Sequence, residues 1–204
     1  MSITPGWDAI EKKLADAYGV QQPSHWGTIM RYGDGGPDPL DGISAYRGES
    51  PPHWHYVTFG LSELGEKRSP DKELSGWGFE LSFRLKRCQG ENAPPEWPLP
   101  LLQKLARYVY NTKMPFDHEH YIRWGGPITK EEQTALEAMV FTLDPVLGEI
   151  STPNGRVKFL DAIAITADEH QFADEQGPEK LLARLLPQNP LGVIDLERGS
   201  ILAA

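Results

Sequence analysis

Apolar and polar residues alternate most regularly near the middle of the chain. Trp77, Phe79, Leu81, Phe83 and Leu85 interleave with Gly78, Glu80, Ser82, Arg84 and Lys86, the two-residue period of a strand with one apolar and one wet face. Just upstream, residues 53–59 are aromatic or β-branched on both faces, which predicts a strand covered on two sides. The polar stretch 62–75 between them predicts a long-looped antiparallel pair.

Helical spacing marks other segments. Trp7, Ile10, Leu14 and Ala17 form one stripe, with Thr4 as cap, Pro5 at the first position and Gly19 as the stop. Residues 26–32 read as a short β-like run, and 33–42, dense in Gly, Pro and Asp, as a structured loop. After a proline-rich connector at 90–98, Leu101, Leu102, Leu105, Ala106 and Val109 predict a second helix, flanked by Tyr108 and Tyr110. Thr129 and Glu132 form a capping-box pattern for a short helix through Ala138. A strand at 139–143 follows, although Leu136, Met139 and Val140 also fit a prolonged helix. Pro153-Asn154-Gly155 has the chemistry of a hairpin turn between 146–152 and 156–166. The second arm puts Val157, Phe159, Asp161, Ile163 and Ile165 on one face. Thr166 with Glu169 repeats the capping box, Pro178 opens a last helix through Leu186, and 193–196 reads as a short final strand. Helices and strands come mixed, so the expected class is α+β, a mixed and largely antiparallel sheet flanked by helices, in one domain over 1–204.

With 204 residues, 39% of them hydrophobic, the chain can bury a sizeable core. A formal charge of -9 argues against a nucleic-acid surface, leaves basic partners open, and also serves solubility. Cys88 is the single cysteine, which excludes an internal disulfide and suits a reducing compartment. The amino-terminal residues lack the pattern of a signal peptide, and no apolar run approaches the ~20 residues of a membrane span. The expectation is a cytoplasmic protein with no membrane partner and no cofactor.

Several residues invite chemical readings. His53 and His55 share one strand face and resemble half a metal site, for which Asp117, His118 or His120 would supply further ligands; a metal-dependent hydrolase is the enzymatic alternative. A pair of histidines packed beside Trp54 is the plainer explanation, and no metal is expected. Asp34, Asp38 and Asp41 lack EF-hand spacing and read as turn caps. Ser44 lacks the second glycine of a nucleophile elbow, and Cys88 has no histidine partner in view. Asp161 lies on an otherwise apolar face, so burial there demands a partner. For protein binding, Tyr56, Glu63, Glu66 and Trp77 combine aromatic and acidic groups around the central loop.

Residues 35–41 (Gly-Gly-Pro-Asp-Pro-Leu-Asp), the run His53-Trp54-His55-Tyr56 through Phe59-Gly60-Leu61-Ser62, and the stretch 78–87 together resemble the Suppressor of fused family. Ala93-Pro94-Pro95-Glu96-Trp97-Pro98, Leu105-Ala106-Arg107-Tyr108-Val109 and residues 195–200 extend the resemblance, which spans roughly residues 5–201. It implies a non-enzymatic protein-binding module. The eukaryotic members are two-halved cytoplasmic Hedgehog regulators that grip an extended peptide of a transcription factor, and this chain resembles their amino-terminal half. Shorter bacterial members of this length imply an immunity role, neutralising a toxin. By the same resemblance Tyr56 falls near the eukaryotic peptide site and Glu66 near an acidic residue that meets the partner; the tyrosine that follows the Leu64 position in that pattern is missing here.

Overall fold

The structure is a computed structural model and describes residues 3–30, 32 and 35–202. Its elements are α1 (Pro5–Tyr18), β1 (Ser24–Gly27), β2 (Gly42–Glu49), β3 (Pro52–Phe59), β4 (Leu74–Lys86), α2 (Pro98–Thr112), β5 (Tyr121–Arg123), β6 (Leu136–Leu143), β7 (Glu149–Thr152), β8 (Gly155–Thr166), α3 (Ala167–Gln176) and α4 (Pro178–Leu185). The strands form one sheet in the order β1-β2-β3-β4-β8-β6-β5, with β7 also on β8. Among the described strands only the β4–β8 pair is parallel. A parallel pair needs a long crossover, and the chain between β4 and β8 supplies it. The class is α+β, as the mixed pattern predicts.

Both faces of the sheet are covered. α2 sets Leu101, Leu102, Leu105, Ala106 and Val109 against Phe79, Leu81, Phe83 and Leu85 of β4. On the other face α1 sets Ile10 and Leu14 against Val57, Phe59 and Phe159, while α4 sets Leu181, Leu182 and Leu185 against Val140, Ile163 and Ile165. Residues 53–59 are buried throughout, as a strand covered on two sides should be. The β7–β8 turn, the stop at Gly19 and the capping box of Thr166 with Glu169 form where expected. Among the described residues no helix is long and apolar enough to cross a membrane.

Three expectations about element boundaries need correction. Residues 129–135 form no helix; Leu136 and Ala138 instead pair with Thr166 and Ile165, because the sheet offers a buried ladder that outweighs local helix preference. Residues 193–196 make no strand beyond one parallel bridge, Leu85 with Ile194. The β-like run at 26–32 shrinks to the end of β1, and Arg31, Gly33 and Asp34 lie outside the described residues.

The wet face expected for β4 is a correction of larger consequence. Glu80, Ser82 and Arg84 have no exposed surface, and only Lys86 reaches solvent. Arg84 Nη2 lies 2.8 Å from Asp144 Oδ1 and Oδ2, and Nη1 lies 3.2 Å from Asp161 Oδ2. Ser82 Oγ donates to Asp144 Oδ2 at 2.6 Å. Asp144 also accepts the Val146 and Leu147 backbone N–H groups at 2.8 Å each. His55 Nε2 stands 3.1 Å from Asp144, and Tyr18 of α1 meets His55 Nδ1 at 2.5 Å. With Tyr18 O–H donating to Nδ1, the Nε2–H points at Asp144, which suits a neutral imidazole.

Burial pushes Asp161 up to about 8, and neighbouring Asp144 adds to the rise against the pull of Arg84. Burial would also raise Asp144, but His55 and Arg84 outweigh it and hold that carboxyl far below the usual range. Burial and Arg84 push His55 down to about 4. The folded chain thus keeps the Asp161 proton across a window, from about 3.9 upward, in which an unfolded aspartate has lost it. Stability therefore falls as pH rises through that window. Glu80, raised by burial to about 6, acts in the same sense lower down; His55 acts in the opposite sense up to about 6.5. Between about pH 6.5 and 8.5 the urea midpoint of the wild type should fall while that of Asp161→Asn stays level; parallel midpoints would remove the assignment.

Candidate protein-binding site

Two carboxylates, Glu80 fully buried and Glu63 half-buried, shape the connection between β3 and β4. Glu80 accepts Thr58 Oγ1 at 2.7 Å, Gly60 N at 3.0 Å, Ser62 N at 2.9 Å and Ser62 Oγ at 2.6 Å. It thereby gathers the donors of the turn that leaves β3. Glu63 accepts Arg68 N at 2.6 Å, Ser69 N at 2.5 Å and Gly76 N at 3.1 Å, with Lys67 Nζ at 3.1 Å. Burial would raise its pKa, but these donors outweigh it and hold the carboxyl at about 2. Asn154 of the β7–β8 turn donates to Glu63 O at 2.8 Å and Gly65 O at 2.6 Å. Leu64 O accepts Gly6 N and Trp7 N at 3.0 and 3.1 Å, which satisfies free donors of the first turn of α1. A Cβ on Gly6 would lie 2.0 Å from Glu63 O, so only glycine allows that approach. The loop is consequently a fixed platform.

Glu66 is exposed on this platform. Trp77, on the α2 face near the start of β4, is half-buried, with its backbone N–H on Leu61 O at 2.9 Å. Tyr110 of α2 packs edge-on to Trp77 at 5.5 Å and donates to Gly60 O at 3.0 Å. Lys113 Nζ sits 5.7 Å from the centre of the Trp77 ring, and Tyr32 extends the row, 4.9 Å from Tyr110. The resulting row is aromatic, with the Lys113 ammonium at its margin.

The four residues singled out from sequence therefore divide. Glu66 and Trp77 present surface, whereas Glu63 organises the loop from within. Tyr56 has no exposed surface and donates its hydroxyl to Pro95 O at 2.7 Å, so any effect it has on a partner passes through the α2 layer. Sequence reasoning missed Tyr110, Lys113 and Glu80. Tyr110 flanks the apolar stripe of α2, which was its one signal; Glu80 looked like a wet-face residue.

The candidate chemical groups are placed elsewhere. His53 Nδ1 lies 2.7 Å from Pro51 O, and the His53 and His55 rings are 6.3 Å apart. Asp117 pairs with Lys158 at 2.8 Å rather than with either histidine, and its backbone N–H donates to His120. Among the described residues no three His, Cys, Asp or Glu side chains gather as metal ligands. Ser44 Oγ pairs with His25 Nδ1 at 2.9 Å across β1 and β2, Asp38 pairs with Arg107, and Cys88 is exposed just past β4.

Replacing Glu63 tests the platform. Glu63→Ala should accelerate hydrogen exchange at the Arg68, Ser69 and Gly76 amides at least tenfold and cost about 1–3 kcal/mol, with central-strand amides ordered as before. Unchanged exchange at those three amides would show that the loop holds itself by other means.

The family model for Suppressor of fused protein (SUFU) matches residues 36–199. The Suppressor of fused homolog of Homo sapiens is 38% identical over 186 residues, covering 84% of this chain and 38% of the human protein. The Mus musculus homolog gives the same figures. The chain thus spans well under half the length of these curated relatives. A chain in the crystal structure of the Sufu–Fu complex overlays with TM-score 0.92 at 32% identity, covering 98% of this chain and 94% of that one. Drosophila Suppressor of Fused overlays at 0.90 with 31% identity, across 52% of its chain. A putative SUFU homolog from Neisseria gonorrhoeae shares the fold, at TM-score 0.68 and 14% identity. A family match over most of the chain, joined to close structural overlap with Sufu itself, places this protein in the Suppressor of fused family.

Proposed function

We propose that this chain is a non-enzymatic protein-binding module whose contact surface is the platform carrying Glu66 and Trp77, extended by Tyr110 and Lys113. One observation carries the reading: the Sufu chain it overlays comes from a Sufu–Fu complex and has nearly the same extent as this chain. That supports partner binding by a domain of this size. The surface has the composition expected of a contact centre, aromatic groups on a rigid support with charges at the rim. The titratable cluster around Arg84 offers no competing site, because its groups are buried beneath α1 and engaged with one another.

The specific form we favour is an immunity-type protein that masks the surface of a toxin. The charge of -9 supports a basic partner such as a nuclease, with attraction speeding encounter. The other form is a regulator that sequesters a protein through an extended peptide segment; the likeness to a chain of the Sufu–Fu complex supports a protein partner in either form. In both forms the chain acts in the cytoplasm, without cofactor, nucleic acid or membrane.

Pull-down of the tagged chain from its source cells, with mass spectrometry and metal analysis, is expected to yield one stoichiometric protein and no metal. Trp77→Ala and Glu66→Lys should each weaken that complex about tenfold, roughly 1.4 kcal/mol, with circular dichroism unchanged. A toxin partner should lose affinity steeply with added salt. Bound metal without a protein partner would overturn the reading and return attention to His53 and His55.

A further inference from the structure

A cleft of about 490 Å³ opens between β1, β2 and the first turns of α2. Its apolar walls include Trp26 of β1, Ile43 of β2, Leu99 of α2 and, in the loop after β1, Ile29 and Met30. Ile43 is buried in the core, and Trp26 and Leu99 pack half-buried against it, so the floor is set before anything enters. The loop at the rim is tied to its own far end. Thr28 N–H donates to Asp41 O at 2.9 Å, and Thr28 Oγ1 donates to Leu40 O at 2.5 Å. From α2, Gln103 accepts Leu40 N–H at 3.2 Å and donates to Leu40 O at 3.3 Å. A preformed, mostly apolar cleft of this size with a few placed polar groups is the usual form of a small-molecule site.

Two features define the occupant. The first is apolar surface at the rim. Eight large apolar side chains are exposed among the described residues, and three of them, Ile29, Met30 and Tyr32, fall within four positions of this loop. Scattered single residues of that kind need no explanation, but a concentration beside a cleft marks a binding surface. The second feature is charge. Among the described residues the charged side chains of the lining are Asp38 and Arg107, and they pair with each other. An anion would compete with Asp38 for Arg107 and a cation would compete with Arg107 for Asp38; either would strand the displaced partner beside apolar walls. A neutral molecule leaves the pair intact. Thr28 Oγ1 gives its one proton to Leu40 and keeps acceptor capacity, so a single ligand hydroxyl can be met.

We propose that this cleft binds a neutral small molecule with an apolar skeleton and at most one hydroxyl, of the class of a medium-chain alcohol. The site is separate from the protein-binding reading above, because neither Glu66 nor Trp77 forms part of its walls.

The test uses the full chain and three ligands with the same ten-carbon chain: 1-decanol, decanoate and decylammonium. Decanol should bind at least tenfold more tightly than either charged ligand and shift amide resonances at residues 26–30. Ile29→Asp and Met30→Asp should each weaken decanol at least tenfold; both positions are exposed, so the fold should be kept. Asp38→Asn frees Arg107 and should strengthen decanoate at least tenfold. Trp77→Ala should leave decanol binding unchanged whatever it does to a protein partner. Failure of decanol to bind, equal affinity for all three ligands, shifts confined to other residues, or unchanged decanol affinity in Ile29→Asp and Met30→Asp would each overturn the proposal.

Discussion

Arg84 is wholly buried, and a guanidinium at that depth persists only when its charge is balanced by groups fixed in place. Asp144 supplies the balance from the turn after β6, and Asp161 stands on the neighbouring β8. The parallel β4–β8 seam lies directly beneath, with Ser82 opposite Asp161. No tight turn sets the register of such a seam, and a slip of one residue would swap the two faces of the strand. Arg84 would then enter the apolar layer under α2, and Phe83 or Leu85 would enter the polar one. The charge cluster thus selects a single alignment of the two central strands. Its worth lies in specificity more than in net stability, since a well-packed apolar substitute is often as stable as a buried ion pair.

The same economy recurs at the edges of the polar layer. Glu80 and Glu63 are acids that no cation neutralises alone; each is held mainly by backbone and hydroxyl donors of the segment between β3 and β4. A carboxylate accepts several donors at once, so one side chain can order a loop that has no regular structure. The loop in turn receives α1 at Leu64 O and the β7–β8 turn through Asn154. The loop is thereby ordered by its own contacts, which in the binding role proposed above lowers the entropic cost of association.

Residues with catalytic-looking chemistry turn out to have structural employment. His55, Asp144 and Tyr18 form a hydrogen-bonded chain of the kind that serves proton transfer in enzymes, but it is sealed beneath α1 and ties that helix to the sheet. His25 and Ser44 are likewise cross-strand neighbours. The shifted pKa values in this protein therefore report burial and charge balance in a core.

Local chemistry in the sequence determined a good deal. The stripe and stop of α1, the capping box of α3, the Asn-Gly turn before β8 and the two-sided burial of residues 53–59 are each set by neighbours along the chain, and the family was legible in motifs spread from residue 35 to residue 200. Tertiary structure alone decided which side of β4 was wet: the alternation of Glu80, Ser82 and Arg84 is identical whether water or a buried carboxylate lies opposite. It also decided that residues 129–135 stay irregular, because the ladder between β6 and β8 competes with a local cap, and that β2 is a strand although its sequence does not alternate. Pairing partners far apart in sequence settle such matters, and no window along the chain contains them.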